Sequence, residues 1–369
     1  MKFQINKDVL QKGIQITQNI ISTKNILPIL SNILIETTKN KIKLTTTDLD
    51  VGISILLDAE IQEIGAITIP AKRLNDIVRE LPEGEAQFIV KKNNIVYIKL
   101  GTCEFKLMGV AREEFPKLPE FKDREVIEIE QVILKEMLQL TSFAISHEET
   151  RYVLNGLLLD FKKHPHREGY VLKLVATDGR RLALIEKNID TKTNKEVKII
   201  IPQKAIHELQ KNLKDDGRAI IVIATNQVLF ELDNVAIISR LIEGDFPDYT
   251  RVIPSSSENK IRIDRQQFLQ AIRRASLLST PDSLAIRLEL FSNKLLITKS
   301  TQDVGESKEE VSVEYGGKDL IVGFNPVYLI DVLRNLSGVF VEFELTESEK
   351  PGVIRTEDYV YLIQPMRLS

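Results

Sequence analysis

Ile69–Leu81, IPAKRLNDIVREL, is written three times in this 369-residue chain: it lies without gaps over Ile201–Leu213, IPQKAIHELQKNL, and over Phe324–Leu336, FNPVYLIDVLRNL. Apolar residues agree at Leu74, Ile206 and Leu329, at Ile77, Leu209 and Val332, and at Leu81, Leu213 and Leu336. That spacing is one face of a helix. Opposite it an acid precedes a base by three residues in every copy, Asp76 to Arg79, Glu208 to Lys211 and Asp331 to Arg334, near enough to interact on a helix surface. A proline stands at or near each first turn, where its missing N–H costs nothing. One such match could arise by chance; three copies argue against chance.

A second stretch repeats with it. Phe3–Ile21, Ile127–Ile145 and Ile261–Ser279 align as a short alternating strand leading into a helix. Its apolar stripe is Leu10, Leu134 and Phe268, then Ile14, Leu138 and Ile272, then Thr17, Thr141 and Ala275. Each third of the chain therefore carries strand, helix and several strands twice over. The fold expected is α+β, three similar domains, each a doubled βαβββ unit of two helices packed on antiparallel sheets. Linkers at Glu113–Pro119 and Ser255–Ser257 put the domains at 1–119, 120–254 and 255–369. Within them Val153–Phe161 reads as a strand, Asp178–Gly179 as a tight turn and Gly305–Glu310 as a charged loop.

Composition narrows the function. Hydrophobic residues make up 43% and charged ones 28%, as in a water-soluble globular protein, and no stretch approaches a membrane span. The N-terminus starts as an alternating strand without a signal-peptide core, and the single Cys103 allows no intrachain disulfide or cysteine metal cluster, so a cytoplasmic location is expected. Net charge is −3, yet the helix segments 7–20, 71–80, 131–143, 203–214, 264–277 and 326–336 carry +1, +1, 0, +2, +2 and 0. If those helices share a surface, it is basic on an otherwise acidic protein.

Catalytic chemistry is not legible. Gly316-Gly317-Lys318 lacks the upstream glycine of a phosphate-binding loop, and His147-Glu148-Glu149 lacks the second histidine of a zinc-protease motif. His164 and His166 flank a proline without further ligands; Asp48 and Asp50 read as a strand-start turn rather than a catalytic pair; Cys103 has only Glu104 beside it. No enzyme activity, cofactor or metal is expected.

Leu27–Leu30 (LPIL), Arg151–Gly156 (RYVLNG), Ala176–Leu182 (ATDGRRL), Asp245–Tyr249 (DFPDY) and Pro365–Leu368 (PMRL) together resemble the bacterial sliding clamp, the beta subunit of the replicative DNA polymerase III. The resemblance spans the whole chain, with departures at Lys24, Gln364 and the extra Ser369. It implies three DNA-clamp domains per chain and a head-to-tail homodimer closing a ring around duplex DNA, the helices lining the hole. Two times three repeats gives the same pseudo-sixfold ring. It also implies that the clamp tethers the polymerase alpha subunit, the clamp loader, other polymerases and repair proteins through short peptides.

Carried onto this sequence, the resemblance implies three sets of residues. The peptide pocket would hold Leu154, Thr177, Gly179, Arg181, Leu182, Pro247, Arg251 and Val252, with Tyr328, Pro365, Met366, Arg367 and Leu368. In this reading Gly179 leaves room for close backbone approach, Arg181 and Arg251 stand at the rim, and the leucines give an apolar floor. The DNA-facing bases would be Lys24, Lys72, Arg73, Arg79, Lys204, Lys211, Arg265, Arg273 and Arg274. The dimer contact would bring strand Thr102–Leu107, with Phe105, against Leu277 and Leu278 of the partner.

Overall fold

The computed structural model describes residues 1–21, 27–119, 121, 125–164, 168–189, 195–257 and 259–368. Six helices stand where the repeats put them: α1 Lys7–Gln18, α2 Ala71–Glu80, α3 Gln131–Thr141, α4 Gln203–Asn212, α5 Arg265–Ser276 and α6 Pro326–Asn335. Their starts have local causes. Asn6, Asp264 and Asn325 each accept a backbone N–H from the first turn they precede, and Pro326 fills a position that has no hydrogen bond to lose.

The stripe common to α1, α3 and α5 is buried at all nine positions, from Leu10, Leu134 and Phe268 to Thr17, Thr141 and Ala275. The two threonines are tolerated there because each hydroxyl donates back to its own helix, Thr17 to the Gly13 carbonyl at 2.9 Å and Thr141 to that of Met137 at 2.7 Å. In the other family of helices Ile77 and Leu336 are half-buried and the remaining seven stripe residues are buried. The acid–base pairs fare differently. Glu208 and Lys211 meet at 2.9 Å, whereas Arg79 turns to Glu80 and Asp331 to Arg181.

The chain forms two compact units. The first is made of the described residues of Met1–Lys135, Thr191–Lys195 and Lys204–Leu241, the second of those of Glu136–Asp190, Glu196–Gln203 and Ile242–Ser369. In the first unit a five-stranded antiparallel sheet runs in the order Glu60–Glu63, Lys2–Asn6, Glu85–Val90, Ile95–Leu100, Cys103–Met108. Beside it an eight-stranded sheet runs Glu125–Glu130, Arg218–Ile223, Gln227–Leu232, Val235–Arg240, Val51–Asp58, Lys41–Thr47, Asn32–Thr37, Ala66–Pro70. Its middle joins two repeats, because Val235–Arg240 of the second pairs with Val51–Asp58 of the first.

The second unit is built on a twelve-stranded sheet that starts Val197–Pro202, Gly156–Lys163, Tyr170–Thr177, Arg181–Ile189. It continues through Tyr359–Ile363, Gly352–Arg355, Phe340–Glu344 and Lys260–Asp264 to Gly305–Glu314, Lys294–Thr301, Ile286–Phe291 and Leu320–Phe324. Here Arg181–Ile189 of the second repeat pairs with Tyr359–Ile363 of the third. Tyr359, Tyr361, Phe268, Phe324 and Phe343 are among its largest fully buried side chains.

Two elements differ from the sequence reading. Residues Glu149–Leu154 form a 3-10 turn, so the strand expected from Val153 begins only at Gly156. Gly305–Glu310 is not a loop but the first half of strand Gly305–Glu314, paired with Lys294–Thr301 from Thr301↔Gly305 onward. Its charges misled because this stretch has no strand on its other side among the described residues, and an open edge is where charged side chains are tolerated.

Leu138→Ala should cost about 3 kcal/mol, as expected for a buried leucine emptied to a methyl. Urea denaturation at fixed protein concentration measures it, with exposed Lys12→Ala as the control expected within about 0.5 kcal/mol.

Candidate functional site

Where the paired strands Arg181–Ile189 and Tyr359–Ile363 end, the second unit holds a cavity of about 170 Å³. Its floor is Leu154, Leu182 and Leu362, and its walls are Thr177, Gly179, Arg180, Arg181, Pro247, Asp248, Tyr249, Val252 and Gln364. The three leucines also belong to one buried cluster with Val175, Ile200 and Phe246. They are core and floor at once. Half-exposed Val252 closes one side.

Local chemistry shapes the walls. Asp178 accepts the N–H groups of Arg180 at 2.9 Å and Arg181 at 3.0 Å, and the Thr177 hydroxyl donates to the Arg181 carbonyl at 2.6 Å. Gly179 completes this turn at φ +84°, a conformation in which a side chain is strained. Opposite, Asp248 accepts from the Thr250 N–H at 3.2 Å and hydroxyl at 2.6 Å, starting the turn Tyr249–Val252. The Tyr249 phenol reaches Asp160 at 3.5 Å; burial, then that carboxylate, push its pKa well up, so it stays protonated.

Arg181 is not at the rim. It is buried, and its guanidinium donates to Asp178 at 3.0 Å, Asp331 of α6 at 2.6 Å and the Phe143 carbonyl at 2.5 Å. Its central carbon lies 4.4 Å from the Tyr328 ring centre. Burial opposes its charge, but Tyr361, Asp331 and Asp178 outweigh that and raise its pKa. Arg181 and Tyr328 thus brace the site from beneath. The open side of Gly179 is likewise taken, by Arg151, which donates to the Asp178 carbonyl at 2.6 Å.

The other expected pocket residues are not part of its lining. Arg251 is exposed and pairs with Asp248 at 2.8 Å. Met366, Arg367 and Leu368 border a second cavity of about 510 Å³ with Asp282–Ala285 and Lys299, and the Met366 N–H donates to Gly323 at 2.8 Å. Pro365, half-buried, leads into that tail. Arg180, Asp248, Tyr249 and Leu362 are not among the expected pocket residues, whereas Gln364, a departure from the family pattern expected to touch the pocket, does line the cavity. Asp248 and Tyr249 sit in the quoted DFPDY motif, and Leu362 and Gln364 precede the PMRL tail, so proximity in sequence to recognised motifs was the available signal.

The basic residues divide. Lys72, Arg73 and Arg273 are exposed, with side chains free of hydrogen bonds and ion pairs among the described residues. Arg79 pairs with Glu80, Lys211 with Glu208, and Arg274 with Glu309 through two bonds of 2.8 Å. Lys204 bonds the Asp48 carboxylate and the Ile20 carbonyl, while Arg265 caps the end of α6 through the Leu333 and Gly338 carbonyls. Lys24, His166 and Ser369 lie outside the described residues. For the expected dimer contact, Cys103–Met108 is an edge strand with Phe105 and Met108 exposed, Leu277 is 80% exposed and Leu278 half-buried.

Arg181→Ala should destabilise the protein by about 3 kcal/mol, because Asp331 and Asp178 lose their shared buried partner. Exposed Arg251→Ala should stay within about 1 kcal/mol, both read from urea midpoints.

The family models for the DNA polymerase III beta subunit match in order: N-terminal domain at residues 1–119, central domain at 128–248 and C-terminal domain at 250–367. The chain is 32% identical over its full length to the beta sliding clamp of Chlamydia pneumoniae, covering 99% of that protein. Its fold matches the crystal structure of the DNA polymerase sliding clamp of Bacillus subtilis with a TM-score of 0.93 at 31% identity, each chain fully covered. It matches equally, at TM-score 0.93, 34% identity and full coverage of both chains, the sliding clamp (DNA polymerase III subunit beta) of Bartonella birtlesii bound to griselimycin. The chain belongs to the DNA polymerase III beta subunit family and has its three clamp domains.

Proposed function

We propose that this chain is a sliding clamp: two copies join head to tail into a ring around duplex DNA, and the ring tethers the replicative polymerase through short peptides. The observation that carries the reading is the cavity where the second and third repeats share a sheet, in a chain alike end to end with proteins named sliding clamps. At about 170 Å³ the cavity is smaller than the roughly 300 Å³ at which small-molecule sites begin. It suits one or two apolar side chains of a peptide. Affinity near micromolar, on the order of −8 kcal/mol, lets the alpha subunit, clamp loader, other polymerases and repair proteins exchange on one ring. The chain itself carries out no catalytic step and works in the cytoplasm, in three domains at 1–119, 120–254 and 255–369.

Ring closure has a physical rationale in two open strand edges. Among the described residues the outer edge of Cys103–Met108 and that of residues 305–311 have no strand partner, and antiparallel pairing between copies would supply one while Phe105 covers Leu277 and Leu278. DNA is held loosely, by Lys72, Arg73 and Arg273 foremost, because phosphate contacts carry no sequence information and a closed ring cannot dissociate sideways.

Loaded clamp should stay on a nicked circular plasmid through gel filtration and leave once the plasmid is cut; equal loss from circle and line would contradict the ring. Phe105→Ala with Leu278→Ala should give monomer by light scattering, and an unchanged dimer would remove those residues from the interface. Val252→Arg, which places a charge in the cavity at an exposed position, should abolish binding of a six-residue peptide with apolar anchors; full-strength binding would refute the cavity assignment.

A further inference from the structure

Most polar groups around the cavity are already bonded, and two are not. Arg181 is spent on Asp178, Asp331 and the Phe143 carbonyl, Thr177 on the turn beneath it, and Asp248 on Thr250 and Arg251. Arg180 and Gln364 line the same cavity, both exposed, and neither side chain has a hydrogen bond or ion pair among the described residues. They are neighbours, since the Gln364 N–H donates to the Arg180 carbonyl at 2.8 Å. The adjacent carboxylates do not compete for Arg180: Asp178 is paired with Arg181, Glu148 with Arg151 at 2.8 Å, and Asp248 with Arg251.

A free guanidinium beside a free amide offers many N–H donors and a single acceptor. The group that matches is an acceptor with negative charge. We infer that this site selects peptides carrying an aspartate or glutamate side chain next to the apolar anchor, with Arg180 gripping the carboxylate through two N–H groups and Gln364 donating a third bond. Arg180 and Gln364 are thereby specificity-determining residues, outside the apolar contacts that hold any peptide. The inference rests on the cavity being the peptide site, and its test separates the two.

Two labelled six-residue peptides with identical apolar anchors, one carrying glutamate and the other glutamine beside the anchor, are titrated into the full-length dimer by fluorescence anisotropy at low salt. The wild type should bind the glutamate peptide about fivefold tighter, the range of a partly exposed charge pair. Arg180→Ala should bring that ratio to about one, and Gln364→Met should lower it part of the way. Equal affinities in the wild type, or a ratio that survives both substitutions, would overturn the inference while peptide binding itself stands. Failure of both peptides to bind would overturn the peptide site and the inference with it.

Discussion

Two strand pairings carry this structure from one repeat to the next. Val235–Arg240 pairs with Val51–Asp58, and Arg181–Ile189 pairs with Tyr359–Ile363 in a register from Arg181↔Ile363 to Ile185↔Tyr359. Each repeat alone would leave a strand edge of unpaired N–H and carbonyl groups at its border, and pairing across the border satisfies them. The second pairing also makes the site. It brings Leu182 opposite Leu362 as a shared floor and ends both strands at the cavity mouth.

Burial of Arg181 follows from the same register. A guanidinium carried beneath a sheet junction is tolerable only if its donors and charge are met, and Asp178, Asp331 and the Phe143 carbonyl meet them. The linker after the second repeat is fastened in a comparable way: buried Glu344 accepts the Ser257 N–H at 3.3 Å, and Arg355 donates to the Pro254 carbonyl at 2.9 Å. At the other junction Lys204 ties α4 to Asp48 and to the Ile20 carbonyl. Paired charges fix geometry at these joints, whereas apolar stripes hold each repeat together.

What the sequence made legible was periodic. The helices and their stripes were readable because burial recurs every three to four residues, and nine of nine aligned positions on α1, α3 and α5 are indeed buried. Pairing choices were not readable. That Asp331 would leave Arg334 for Arg181, 150 positions away in sequence, depends on a strand register no local pattern encodes. The same limit holds at the site: the motifs point to Leu154, Leu182 and Val252, which line one cavity, and they also put Arg181 at a rim because its type suggests a ligand contact, whereas its burial depends on Tyr359–Ile363. Arg180, the adjacent residue, takes the exposed place.

In the function we propose, a cavity at a shared sheet tethers a polymerase to a ring on DNA. The most direct measurement is the length of DNA made per binding event by the partner polymerase on a primed single-stranded circle, with a trap preventing rebinding. The account predicts much longer tracts once the clamp is loaded than with polymerase alone. Tracts of the same length with and without the loaded clamp would contradict it.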